Sequence, residues 1–181
     1  MPMNAQSAIP SSRDVQLPRK RITRWGKGAF AGVIACALSL TVEMALMKGF
    51  GSGDMWDAVR LSASVTLGKR AVATSTPFTF DLFFIGVLMC FLFSILYSVI
   101  LGMLIHNFKP AAALLAGAGF GLLMYFIHFY GLTAFYPWVA SSRSWIVLVG
   151  HLVFGMSAAW IYIHLHVRQL MREAGLSTET K

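Results

Sequence analysis

Hydrophobic positions along this chain fall into four long runs with almost no polar interruption: Gly28–Met47, Phe83–Ile105, Ala111–Tyr130 and Trp145–His164. None alternates polar and apolar residues as a half-buried strand does. Each is about as long as the roughly 20 apolar residues that a membrane crossing requires. In lipid, only helices and closed barrels satisfy every backbone group, and a barrel is built from shorter, alternating segments. The pattern predicts an all-α polytopic membrane protein of four transmembrane helices, with spans at about 28–48, 78–107, 111–131 and 145–166.

Within the runs, small residues mark the faces. Gly28, Gly32, Cys36, Ser39 and Glu43 recur every three or four residues and share one side of the first span. Gly86, Cys90, Ser94, Ser98 and Gly102 form a longer row on the second. Gly117 and Gly121 follow Ala113 on the third, and Gly155 lies between His151 and Ala159 on the fourth. Such rows let helix backbones approach closely. The row on the second span is the longest, and is read as the contact for a second copy of the chain or for another membrane protein.

The halves of the chain echo each other. Aligning A-F-A-G (29–32) with L-L-A-G (114–117) sets Glu43 opposite His128, and I-G-V-L (85–88) matches V-G-H-L (149–152). This predicts a two-fold repeat of helix pairs, related by an axis along the membrane normal because each pair crosses twice.

The connecting segments are more polar. Residues 49–77 are too long for a simple loop and should hold a short amphipathic helix on the outer surface. Asp54 and Asp57 are placed to cap it, Gly68 to end it, and Trp56 to sit at headgroup level. Thr76-Pro77 reads as the start of the second span. The connection 131–144, with Tyr130, Phe135, Tyr136, Trp138 and Trp145, forms an interfacial aromatic belt. Residues 1–26 are expected to be a disordered basic tail, 27–168 the membrane domain, and 169–181 a second tail. The first span is expected to be an uncleaved anchor: its polar lead is long, its apolar run is long enough to span, and Glu43 is followed by Met44 and Leu46 rather than by a small-x-small site.

Composition agrees with a membrane protein: 57% of residues are hydrophobic and 12% charged, against about 25% charged in soluble domains. The net charge of +8 would suit nucleic acid, but its distribution follows topology instead. With the N-terminus inside, ten basic residues lie on the inner side and five on the outer. The positive-inside rule thus places both termini in the cytoplasm. The lipid bilayer is the expected partner, with no nucleic acid.

Ionisable groups inside a span are costly and default to a functional role. They are Glu43, His128 and His151, joined by Asp81 at the mouth of the second span. The topology gathers all four toward the outer end of the bundle, one from each helix. A polar cluster follows, in which Glu43 pairs with a histidine and the site exchanges protons near neutral pH. The plainer alternative has Glu43 and His128 reaching the wet interface while His151 satisfies a backbone carbonyl. His164 and His166 read as charge at a helix end. Haem ligation by His128 and His151 has no accompanying motif, and no H-E-x-x-H or Cys/His spacing indicates a metal. Cys36 and Cys90 are expected to be small packing residues. No cofactor and no enzymatic activity are expected.

Several short motifs carry a family likeness. L-L-A-G (114–117), His128 followed by G-L-T (131–133), P-W (137–138) and G-H-L-V (150–153) resemble the YagU-like family of small bacterial inner-membrane proteins, with a fainter echo in F-S-I (93–95). The likeness covers mainly residues 110–168, and the first half departs from it. It implies a bacterial inner-membrane location and a link to envelope or acid stress, and carries over only His128 and His151. The alternatives are a small transporter or channel component acting as an oligomer, and an accessory subunit of a larger membrane complex.

Overall fold

The computed structural model describes residues 22–51, 53–73, 77 and 79–174. Among them every regular element is helical: α1 (Arg24–Phe50), α2 (Asp57–Leu67), α3 (Phe80–Ile105), α4 (Pro110–Phe126) and α5 (Trp145–Glu173). Short 3-10 turns lie at Gly68–Val72, Leu132–Ala134 and Pro137–Ser142, and a π-helical turn at Ile127–Gly131 extends α4. Among the described residues, four helices are long and apolar enough to cross a membrane: α1, α3, α5 and the stretch Pro110–Ala134.

The boundaries differ from the expected ones for local reasons. α1 starts before Gly28 because the Thr23 hydroxyl accepts a hydrogen bond from Gly26 N (3.1 Å). α5 runs past residue 168, and its last turns carry a Gln169 Nε2 bond to Glu173 Oε1 (2.9 Å). α3 starts after Thr79, so Pro77 precedes the helix instead of opening it. Thr76, the expected disorder of residues 1–21 and the end of the second tail (175–181) lie outside the described residues.

The long helices alternate in direction. The start of α1, the end of α5 and the α3–α4 turn therefore lie at one end of the bundle, called here the tail end. α2 and the 131–144 connection lie at the other, the loop end. α1 packs on α3 through Gly28 and Gly32: a side chain at Gly32 would meet the Ser94 carbonyl at 2.6 Å, and one at Gly28 would meet Val99 Cα at 2.8 Å. α4 packs on α5 in the same way. A side chain at Gly117 would meet the Gly155 carbonyl at 2.5 Å, and one at Gly121 would collide with the His151 carbonyl. Backbones this close gain contact along their whole length, which is what holds helices together where lipid is as apolar as leucine.

The small-residue row of α3 is consumed within the chain. Gly86 lies against the Val59 carbonyl of α2, Cys90 beside the Ser62 hydroxyl (3.4 Å), Ser94 and Ser98 against α1, and Gly102 under the Tyr162 ring of α5. It is therefore not the open face expected for a second molecule. Three elements share it because α3 crosses each in turn. The opposite side of α3 carries Phe84, Leu88, Leu92, Leu96 and Ile100, all exposed and four apart, the side that lipid would cover.

α2 also departs from expectation. Asp54 N donates to Asp57 Oδ2 (3.0 Å) and Trp56 N to Asp54 Oδ1 (3.2 Å), so both carboxylates hold the helix start as their spacing predicts. The helix does not float on the surface, however. Val59, Ala63 and Ser64 are buried, and Trp56 meets Phe83 edge-on at 5.6 Å. Small residues explain this docking: Gly86 admits the α2 backbone, and Ser64 accepts a hydrogen bond from Trp138 Nε1 (3.1 Å). Trp138→Phe removes that bond at a cost of about 1 kcal/mol. Amide exchange should accelerate in α2 ahead of the other helices, whereas uniform acceleration would show that Trp138 does not anchor it.

Candidate functional site at the loop end

Residues of α1, α2, α3, the π turn and α5 line a partly open cavity of about 630 Å³. Glu43, His128 and His151 all line it. Asp81 does not: it is exposed in the first turn of α3, where its charge meets the positive end of the helix. Three of the four expected residues thus share the cavity, and Tyr97 takes the place of Asp81 as the α3 member.

His128 sits within the π turn, where Leu132 N donates to Ile127 O across five residues. The inserted residue interrupts the regular α4 register, a feature that recurs at functional sites. His151 lies two turns into α5, opposite it. Their rings meet edge-on at 5.4 Å.

The hydrogen bonds form one directed chain. His151 Nδ1 is 2.9 Å from the Val147 carbonyl. A carbonyl only accepts, so His151 carries its proton on Nδ1, and its neutral Nε2 must accept. His128 Nδ1, 3.1 Å away, therefore donates to it. That leaves His128 Nε2 as an acceptor for the Tyr97 hydroxyl at 2.9 Å. One backbone carbonyl thus fixes the tautomers of both imidazoles and the direction of the tyrosine hydroxyl.

Glu43 stands apart from this chain. It is 8% exposed, and its carboxyl packs onto Gly150 Cα, in the space that a side chain at that position would fill. The Ser39 hydroxyl donates to the Gly150 carbonyl (3.0 Å), one turn away on α1. The expected ion pair with a histidine is not formed among the described residues; the carboxyl faces the cavity without a hydrogen-bond partner there. Gly150 explains the geometry, because its bare backbone lets the Glu43 side chain lie against α5 and stop short of the imidazoles.

Two arginines also line the cavity, and backbone carbonyls hold them: Arg143 Nε donates to Phe129 O (2.8 Å) and Arg60 Nη1 reaches Ala71 O (3.5 Å). Arg143 also lies over the Tyr130 ring at 4.1 Å. Burial pushes the Asp57 carboxyl at the rim above the usual carboxylate range. Cys36 and Cys90 also border the cavity, and the Cys90 thiol lies 3.4 Å from the Ser62 hydroxyl. Among the described residues, no group of three or more His, Cys, Asp or Glu is arranged to hold a metal ion.

A second polar cluster at the tail end had no sequence signal. Lys27 is 3% exposed and reaches His166 Nδ1 (3.2 Å) and Gln169 Oε1 (3.0 Å) of α5. His106 Nδ1 lies 3.0 Å from the Tyr162 hydroxyl, and its ring is 4.3 Å from that of His166. Burial, then the Arg24 and Lys27 charges, hold His106 below the usual histidine range. His166 is thus a partner of Lys27 rather than a free charge at a helix end, whereas His164 stacks on Trp160 (5.4 Å). Lys27 reads as an orientation charge in the sequence, since only the fold brings residues 139 and 142 positions away beside it.

No family model, curated protein or solved structure matches this chain.

Proposed function

We propose that this is a non-enzymatic bacterial inner-membrane protein whose loop-end cavity responds to protons, in keeping with a role in envelope or acid stress. The observation that carries this reading is the directed chain from Tyr97 through His128 and His151 to the Val147 carbonyl. Its far end is closed, because the carbonyl cannot pass a proton on. An added proton has one place to enter without breaking the chain: His128 Nε2, once the Tyr97 hydroxyl turns from donor to acceptor. The chain therefore stores a proton and reports it by reorienting Tyr97 in the cavity; it does not conduct protons through the bundle. That favours a sensing role over a channel.

The two-fold repeat belongs to the same reading. The alignment that pairs Glu43 with His128 puts both on one cavity, one from each helix pair. The distribution of basic residues supports an orientation with cytoplasmic tails and the cavity toward the periplasm, where acid arrives first.

The test follows tyrosine absorbance and fluorescence of the purified protein in lipid discs as the pH falls through and below about 5–8, the ordinary histidine range. A reversible transition is expected, and His128→Gln should abolish it while the protein stays folded. A transition that survives His128→Gln would refute the reading.

A further inference from the structure

Resting on that reading of the cavity, we propose that it binds a small amphipathic organic cation, an amine or quaternary ammonium with an apolar body, and that Glu43 is its counter-ion.

Three observations lead there. First, the Glu43 carboxyl is more than nine-tenths buried, faces the cavity and has no hydrogen-bond partner among the described residues. A carboxylate held this way lacks the charge or donors that normally offset its loss of water. Second, the cations nearest the cavity are engaged elsewhere: Arg60 and Arg143 bond to the backbone carbonyls of Ala71 and Phe129. Third, the cavity that Glu43 faces also has apolar and aromatic lining, including Leu40, Met47, Phe93, Met124 and Phe154. A cavity of about 630 Å³ falls within the roughly 300–1,000 Å³ of small-molecule sites. A buried carboxylate together with apolar and aromatic lining matches a cation that carries its charge at one end and its hydrocarbon at the other.

An anionic ligand beside Glu43 is disfavoured by repulsion from its carboxylate. A neutral ligand would fill the wall but leave the carboxylate as it is. Gly150 has a part in the site, because a side chain there would occupy the place of the Glu43 carboxyl.

The test uses the full-length protein in lipid discs and equilibrium dialysis, with empty discs as the blank. The probes are benzyltrimethylammonium and its neutral carbon isostere, neopentylbenzene. Saturable binding of the cation is expected, weakened about tenfold or more by Glu43→Gln and largely kept by Glu43→Asp. No saturable binding of the isostere is expected. Leu40→Trp, which fills the cavity without touching the charge, should also abolish cation binding. The inference is overturned if the wild-type protein does not bind the cation saturably, if the isostere binds as well, or if either Glu43→Gln or Leu40→Trp binds it as the wild type does. The pH transition is read at Tyr97 and needs no ligand. If it persists where cation binding fails, only this inference falls; if it is absent, the underlying reading falls with it.

Discussion

Gly121→Leu should prevent the two α4–α5 backbones from meeting and cost upwards of about 3 kcal/mol. At Gly121 even a single Cβ collides with the His151 carbonyl, and backbone cannot move aside as a flexible side chain can. The collision also lies directly beneath the histidine chain, so stability and the pH transition should fail together. Gly119→Leu is the control: it occupies the same helix, but a Cβ there meets nothing within 4 Å. Unfolding by SDS in mixed micelles, followed by tryptophan fluorescence, separates the two. Equal loss in both variants would mean that the backbone contact at Gly121 does not set the cost, since leucine is the better helix former at both positions.

Glu43→Met should have the opposite sign and stabilise the protein by about 1–3 kcal/mol. Methionine matches the length of glutamate, brings no polar atom into the cavity, and can lie on Gly150 as the carboxyl does. The gain would come from removing a buried polar group that has no hydrogen-bond partner among the described residues. Such a gain is a usual mark of a residue kept for function at some expense to the fold. The same SDS titration measures it, and the variant should no longer bind the ammonium probe. A loss of stability would show that Glu43 contributes to packing or is satisfied within the fold.

The membrane helices were legible because hydropathy alone identifies them, and the glycines at 28, 32, 117 and 121 were legible as contacts because size remains informative where polarity is not. Which partner each face meets was not legible. α3 carries no polar stripe, because lipid and protein interior are equally apolar, so its hydrophobicity does not distinguish the Leu88 side from the Cys90 side. The row of small residues on α3 was visible, but not its division among α1, α2 and α5. The reversal of α2 from surface to wall had the same origin, since Gly86 marks a close approach without saying of what.

The site was legible in part. Glu43, His128 and His151 stand out because ionisable residues are rare in such runs. Asp81 stood out for the same reason, but as a first-turn residue it remains exposed at the helix mouth. Tyr97 was hidden, being one of many aromatic residues in an apolar run; only its contact with His128 distinguishes it. Lys27 was hidden by its neighbours, a group of basic residues that all read as topology signals. The π turn around His128 leaves no recognisable trace in the sequence, although it determines which way that imidazole faces.

The most direct measurement is the imidazole ¹⁵N spectrum of the protein in lipid discs as the pH is lowered, with His128 and His151 assigned by single substitution. At neutral pH both residues should carry their proton on Nδ1 alone, and on acidification His128 should take up the first proton while His151 keeps its tautomer. A proton on Nε2 of either ring at neutral pH, or two histidines that titrate independently of each other, would contradict a chain fixed by the Val147 carbonyl.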